Sequence, residues 1–129
     1  MRATAAAGRR QEPGVLSSSD VIVVVTTVGT EQQALDIADH LVKNRLAACV
    51  NIFPGIRSIF RWKGKVNDDG EFFLIAKTVQ ARYNAVRAAM KKLNAYELPE
   101  ILGFPATFAD EAFAKWVAES SAPERRAKR

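Results

Sequence analysis

The chain is poor in the residues that most chemistry needs. It has one cysteine and one histidine in 129 residues. A single thiol excludes an internal disulfide and suits a reducing, cytoplasmic setting. One cysteine and one histidine also exclude a zinc-type site built on paired ligands within the chain. The histidine, His40, has no acid placed beside it by the sequence, so no general base is identified. Val28-Gly29-Thr30 carries only one glycine, and no glycine-rich phosphate loop follows a strand. No apolar run approaches the length of a membrane span. Cys49 as a nucleophile lacks a partner base. The expectation is therefore a protein that is not an enzyme, that binds no nucleic acid and that does not enter a membrane.

The net charge of +5 points to polyanions at first sight. Between Asp20 and Ser120 there are 12 basic and 12 acidic side chains, so this region is neutral. Residues 1–19 carry three Arg against Glu12, and residues 121–129 carry four Lys or Arg against Glu124. The excess lies in the ends, whereas a nucleic-acid binder concentrates it on a folded face. Three segments follow: a disordered extension over 1–19, a folded domain over 20–119 and a basic flexible tail over 120–129. Apolar residues make up 48% of the chain, ample for one core.

What is present is strongly patterned. Asp20 to Val28 (DVIVVVTTV) is β-branched nearly throughout and predicts a central strand. Thr30 with Gln33 three residues on predicts a capped helix start. Ala34, Leu35, Ile37, Ala38, Leu41 and Val42 follow at helical spacing to about Arg45. Ala47 to Val50 opens a strand that bends at Pro54-Gly55 and resumes from Ile56 to Trp62. Lys63-Gly64 predicts a tight turn into a second extended run reaching Val79, interrupted at Asn67-Asp68-Asp69-Gly70. Ala81 to Leu93 predicts a second helix, with Ala85, Val86, Ala89, Met90 and Leu93 inward. Pro99 and Pro105 suit an edge strand within Leu98 to Phe108. Asp110 predicts the cap of a last helix with Ala112, Phe113, Trp116 and Val117 as its apolar stripe.

Thr27-Val28 and Phe53-Pro54 recur 51 residues later as Thr78-Val79 and Phe104-Pro105. That echo fits a doubled β-α-β unit. The expected fold is α+β: a ferredoxin-like βαββαβ sandwich with an added C-terminal helix and a long protruding hairpin. Arg57, Phe60, Arg61 and Trp62 lie along that hairpin, an aromatic and arginine mix that suits a subunit interface. Open ribbon edges call for partners, so assembly of identical chains is expected.

The run AACVNIFPGIRSIFRWKGK from Ala47, then Glu71, Lys77-Thr78 and YELPEI from Tyr96, closely resembles the CutA divalent-cation tolerance proteins. The resemblance covers about residues 20–119. It implies a stable homotrimer similar to that of the PII signalling proteins, with ribbons pairing between subunits. It also implies a link to copper and other divalent-metal tolerance and no established catalysis. Under it, an intersubunit cleft would bind a metal or small anion near Asn51, Lys77, Tyr96 and Glu97. Cys49 and Glu97 are then the candidate ligands for copper or another divalent ion. The family usually reads His-Pro-Tyr-Glu where this chain has Asn94-Ala95-Tyr96-Glu97, and Phe60 stands where a tyrosine is usual. The other reading is a trimeric interaction scaffold without a ligand of its own.

Overall fold

The computed structural model describes residues 20–124. The expected disorder of 1–19 lies outside these residues, as do the last five positions of the basic tail. Four strands, β1 (Val21–Val28), β2 (Cys49–Trp62), β3 (Lys65–Val79) and β4 (Ile101–Pro105), form one sheet in the order β2-β3-β1-β4. All three pairings are antiparallel. Among the described residues there are also three α-helices, α1 (Glu31–Lys43), α2 (Tyr83–Leu93) and α3 (Glu111–Ser120), and a short 3-10 turn at Gln80–Arg82. The ferredoxin-like sandwich is thus observed.

β1 is central because each of its eight residues is β-branched and fits a pleated interior on both sides. Ile22, Val24 and Val28 meet Ala34, Ile37 and Leu41 of α1 and Val86, Ala89 and Met90 of α2. Leu74 and Ala76 of β3 complete this core. Each large side chain removed from water here contributes about 1.5–3 kcal/mol. Thr26 is fully buried on the same face, and its hydroxyl has no partner among the described residues. Thr26→Val keeps the shape and removes an unpaired polar group. It should raise stability by about 1 kcal/mol, read from the urea midpoint.

Helix boundaries follow their caps. Thr30 Oγ1 accepts the Gln33 amide at 3.1 Å and starts α1. The helix stops at Lys43, two residues before the expected end. There Leu46 N donates to Leu41 O and Arg45 N to Val42 O, a closing motif that needs a left-handed residue. Arg45 fills that position at φ 58° where glycine would be unstrained. Its guanidinium explains the choice: it donates to the carbonyls of Ala122 and Glu119, both at 2.7 Å, and so caps α3. Arg82 in turn donates to Arg45 O at 2.9 Å.

Three expectations are corrected. Asn67 to Gly70 do not interrupt β3; they pair in unbroken register with Phe60, Ile59, Ser58 and Arg57. The irregularity sits on β2 instead, between Phe53 and Ile56, where Pro54 and Gly55 (φ 74°) insert the extra residue of a bulge. In α3 Val117 is buried as expected, but its partner is Ala114: Ala112 is exposed and Phe113 and Trp116 remain 43% and 44% exposed. Small residues win that contact because they let the helix lie close on Val21, Ala48, Val79 and Ala106. The tail is also anchored further than residue 120. Ser121 is fully buried and Ala122 is held by Arg45.

The strand register defines a second, barer face. α3 covers the Val79–Val21–Ala106 row on the side of the sheet away from α1 and α2. The rows that follow on that side are Cys49–Lys77–Val23–Phe104 and then Asn51–Ile75–Val25–Leu102. Phe53 and Phe73 form the next pair, edge to face with centroids 6.2 Å apart. Phe53, Leu102 and Phe104 are each about half exposed, at 49%, 51% and 48%.

Candidate functional site

The predicted site residues fall into two groups. Cys49, Asn51 and Lys77 form the first. Cys49 lies directly across from Lys77, and Asn51 sits two residues along β2 on the same face. The Lys77 ammonium donates to Asn51 Oδ1. Cys49 is a free, half-buried thiol. Alternation along the two strands points all three away from α1 and α2, onto the bare face.

The second group surrounds the segment between α2 and β4. Tyr96 hydroxyl donates to Glu71 Oε2 at 2.6 Å, and Glu71 is itself buried. Burial, the hydrogen bond to Glu71 and the negative charges of Glu71 and Asp69 push the Tyr96 phenol well above its ordinary range. Gly29 makes room for this contact: a Cβ there would lie 3.0 Å from the Tyr96 hydroxyl. Asn94 fixes the segment. Its Nδ2 donates to Thr27 O at 3.0 Å and its Oδ1 accepts the Tyr96 amide at 2.9 Å. Gln33 Oε1 accepts the next amide, Ala95, at 3.1 Å.

Glu71 and Asn94 were not singled out as site residues by the sequence. Glu71 opens the apolar run EFFLIAKTV as its lone carboxylate, and that anomaly was the available signal. Asn94, noted only for the imidazole it lacks, is a buried clamp with both ends of its amide engaged.

The hairpin carries its own charge pairs. Arg57 meets Asp68 through two bonds, at 2.8 Å and 2.7 Å, which lowers the Asp68 pKa and raises that of Arg57. Lys63 and Gly64 both have positive φ, 52° and 80°, as a two-residue hairpin turn requires. From that tip Lys63 Nζ reaches Glu97 Oε1 at 3.5 Å, so the arm folds toward the α2–β4 segment. Lys63 Nζ also lies 5.6 Å from the centre of the Trp62 ring. Phe60, Arg61 and Trp62 remain exposed along the arm.

The two groups do not meet within one chain. Lys77 and Glu71 are six residues apart on β3, about 20 Å at strand rise. Cys49 and Glu97, the two predicted metal donors, therefore belong to opposite ends of the sheet. His40 is exposed on α1, with its Nδ1 3.3 Å from the Asn44 amide. No cluster of three or more His, Cys, Asp or Glu occurs among the described residues. Cys49 faces an ammonium across the strand pair, a poor setting for a divalent cation. The donors of a single chain do not fit a copper site.

A four-stranded antiparallel sheet in the order β2-β3-β1-β4, with helices packed on it and a long hairpin, defines a ferredoxin-like α+β protein. The family described as "CutA1 divalent ion tolerance protein" matches residues 22–120. The chain belongs to this family. It is 40% identical over 99 residues to the divalent-cation tolerance protein CutA of Thermus thermophilus, covering 77% of this chain and 96% of that one. A chloroplastic CutA protein of Arabidopsis thaliana is 36% identical over 100 residues, and the match spans 78% of this chain but only 55% of the plant protein. Among solved structures, the Archaeoglobus fulgidus protein, described as a periplasmic divalent cation tolerance protein, superposes with a TM-score of 0.76 at 34% identity. That match covers 79% of this chain and 99% of the other. No helix of the described residues is long and apolar enough to cross a membrane.

Proposed function

We propose that this chain is a homotrimeric, non-enzymatic binding protein of the divalent-metal response, similar in assembly to the PII signalling proteins and placed in the cytoplasm. The observation that carries this reading is the bare sheet face. Phe53, Val23, Ile75, Leu102 and Phe104 line one side of a sheet whose other side carries the core packed under α1 and α2. A water-exposed apolar face of this kind marks a surface meant to be covered. The outer edges of β2 and β4 have no strand partner among the described residues. Three copies closing on one another cover the face and supply partners for the edges and for the hairpin carrying Arg57, Phe60, Arg61 and Trp62.

The same assembly gives the two separated groups a way to meet. Cys49, Asn51 and Lys77 of one subunit would face the partner subunit's Tyr96 and Glu97 across a cleft. A divalent ion held there would take the Cys49 thiolate and the partner's Glu97 carboxylate as its ligands. Calorimetric titration of the assembled protein with copper and zinc tests the metal part. Metal binding that disappears in Cys49→Ser supports a cleft metal site. Equal heats in the two proteins remove the metal from the cleft and leave it to another ligand.

A further inference from the structure

We propose that Lys77 anchors a small oxyanion, a phosphate or carboxylate, on the floor of the subunit cleft. The proposal rests on the trimeric reading above. Lys77 sits on an interior strand, in a row with Cys49, Val23 and Phe104, none of which carries negative charge. Its ammonium has three N–H donors, and Asn51 Oδ1 takes one. No carboxylate pairs with it among the described residues. The ion pairs found there are Lys43 with Asp39, Arg57 with Asp68 and Lys63 with Glu97. Glu71 is engaged by Tyr96.

Position makes the missing counter-charge matter. One row toward the chain ends, the sheet is covered by α3 through Ala114 and Val117. One row the other way lies the apolar Ile75–Val25–Leu102 series. Lys77 stands at the step between a covered region and a face that closes on assembly. An ammonium buried there without a negative partner would oppose that assembly. An oxyanion can accept the two remaining Lys77 donors and the Asn51 side-chain amide, forming charge-assisted bonds. A divalent cation at the same place would instead meet a like charge. The poor fit of this chain's residues to copper and the unneutralised Lys77 have one common explanation.

The test uses the full chain at matched ionic strength, titrated calorimetrically with inorganic phosphate and separately with acetate, while light scattering follows the mass. The expected result is a trimer with saturable binding of one anion per subunit. The stronger of the two ligands identifies the class. Lys77→Met should weaken binding about ten-fold or more with the trimer retained. Asn51→Ala, on an edge strand, should weaken it several-fold, and Lys77→Arg should keep it. A trimer that binds neither anion overturns the proposal and assigns the neutralising charge to a neighbouring subunit's carboxylate. Binding unchanged in both Lys77→Met and Asn51→Ala overturns it equally. A single-chain mass would instead remove the trimeric reading beneath it.

Discussion

Tyr96→Phe should destabilise the protein by about 2–3 kcal/mol, a large loss for removal of one oxygen atom. Glu71 is buried, and its one hydrogen bond among the described side chains comes from the Tyr96 hydroxyl at 2.6 Å. Phenylalanine fills the same space but leaves a carboxylate buried without its donor. Breaking such a pair costs more than the pair contributes, because the remaining charge stays desolvated. Glu71→Gln in the Tyr96→Phe background should therefore recover part of the loss, and the double-mutant cycle should show coupling of about 1.5–3 kcal/mol. Urea unfolding at one fixed protein concentration measures all four proteins. Additive effects would show that the contact carries little.

The same contact sets an alkaline limit. Burial first, then the Glu71 bond and negative charge, raise the Tyr96 phenol in the folded state above its unfolded value of about 10. Above that pH the unfolded chain has lost a proton that the folded one retains. The stabilisation is complete below pH ~10 and declines as pH rises toward the folded pKa. Tyr96→Phe removes this component, so its stability should fall less steeply than that of the parent above pH ~10. Identical slopes would contradict the assignment.

Leu102→Asp should dissociate the proposed trimer. Leu102 is 51% exposed in the single chain, on an edge strand, so the subunit itself should lose little stability. Surface changes of this kind usually stay within about 0.5 kcal/mol. In the trimer the same carboxylate would be buried on a face lined by Ile75 and Val25, at a cost of several kcal/mol for each subunit. The expected result is a fall to the mass of one chain with the circular dichroism of the sheet preserved. A trimer that survives the substitution would place the interface elsewhere.

The parts of this fold that could be read in advance are those where local and tertiary demands coincide. Eight consecutive β-branched residues have no better use than a central strand, and Thr30 and Asp110 cap helices where their side chains can reach the N3 amides. The hairpin was harder. Asn67 to Gly70 look like a break because polar residues and glycine favour turns, yet on a projecting ribbon neither face needs an apolar period. The true irregularity, Pro54-Gly55, was visible as a bend but not as an inserted residue. In α3, Phe113-Trp116 and Ala114-Val117 have the same helical spacing, and hydrophobicity alone favours the aromatic pair. The sheet chose the small pair because it permits close approach. Arg45 in a glycine conformation has no local cause at all. Its reason lies more than 70 residues away, in the carbonyls it caps.

The site was legible as a set of residues but not as a geometry. Resemblance pointed to Cys49, Asn51, Lys77, Tyr96 and Glu97, and the structure divides them between two ends of one sheet. Glu71 was missed as Tyr96's partner because 25 residues and a helix separate them. Asn94 looked like a lost ligand and is a clamp holding Tyr96 in place.

All of the cleft chemistry depends on the bare face of one subunit being closed by two others. Multi-angle light scattering on dilute protein tests this most directly. The account predicts a single species of three times 14.2 kDa that persists on dilution. A well-folded species of 14.2 kDa would contradict it.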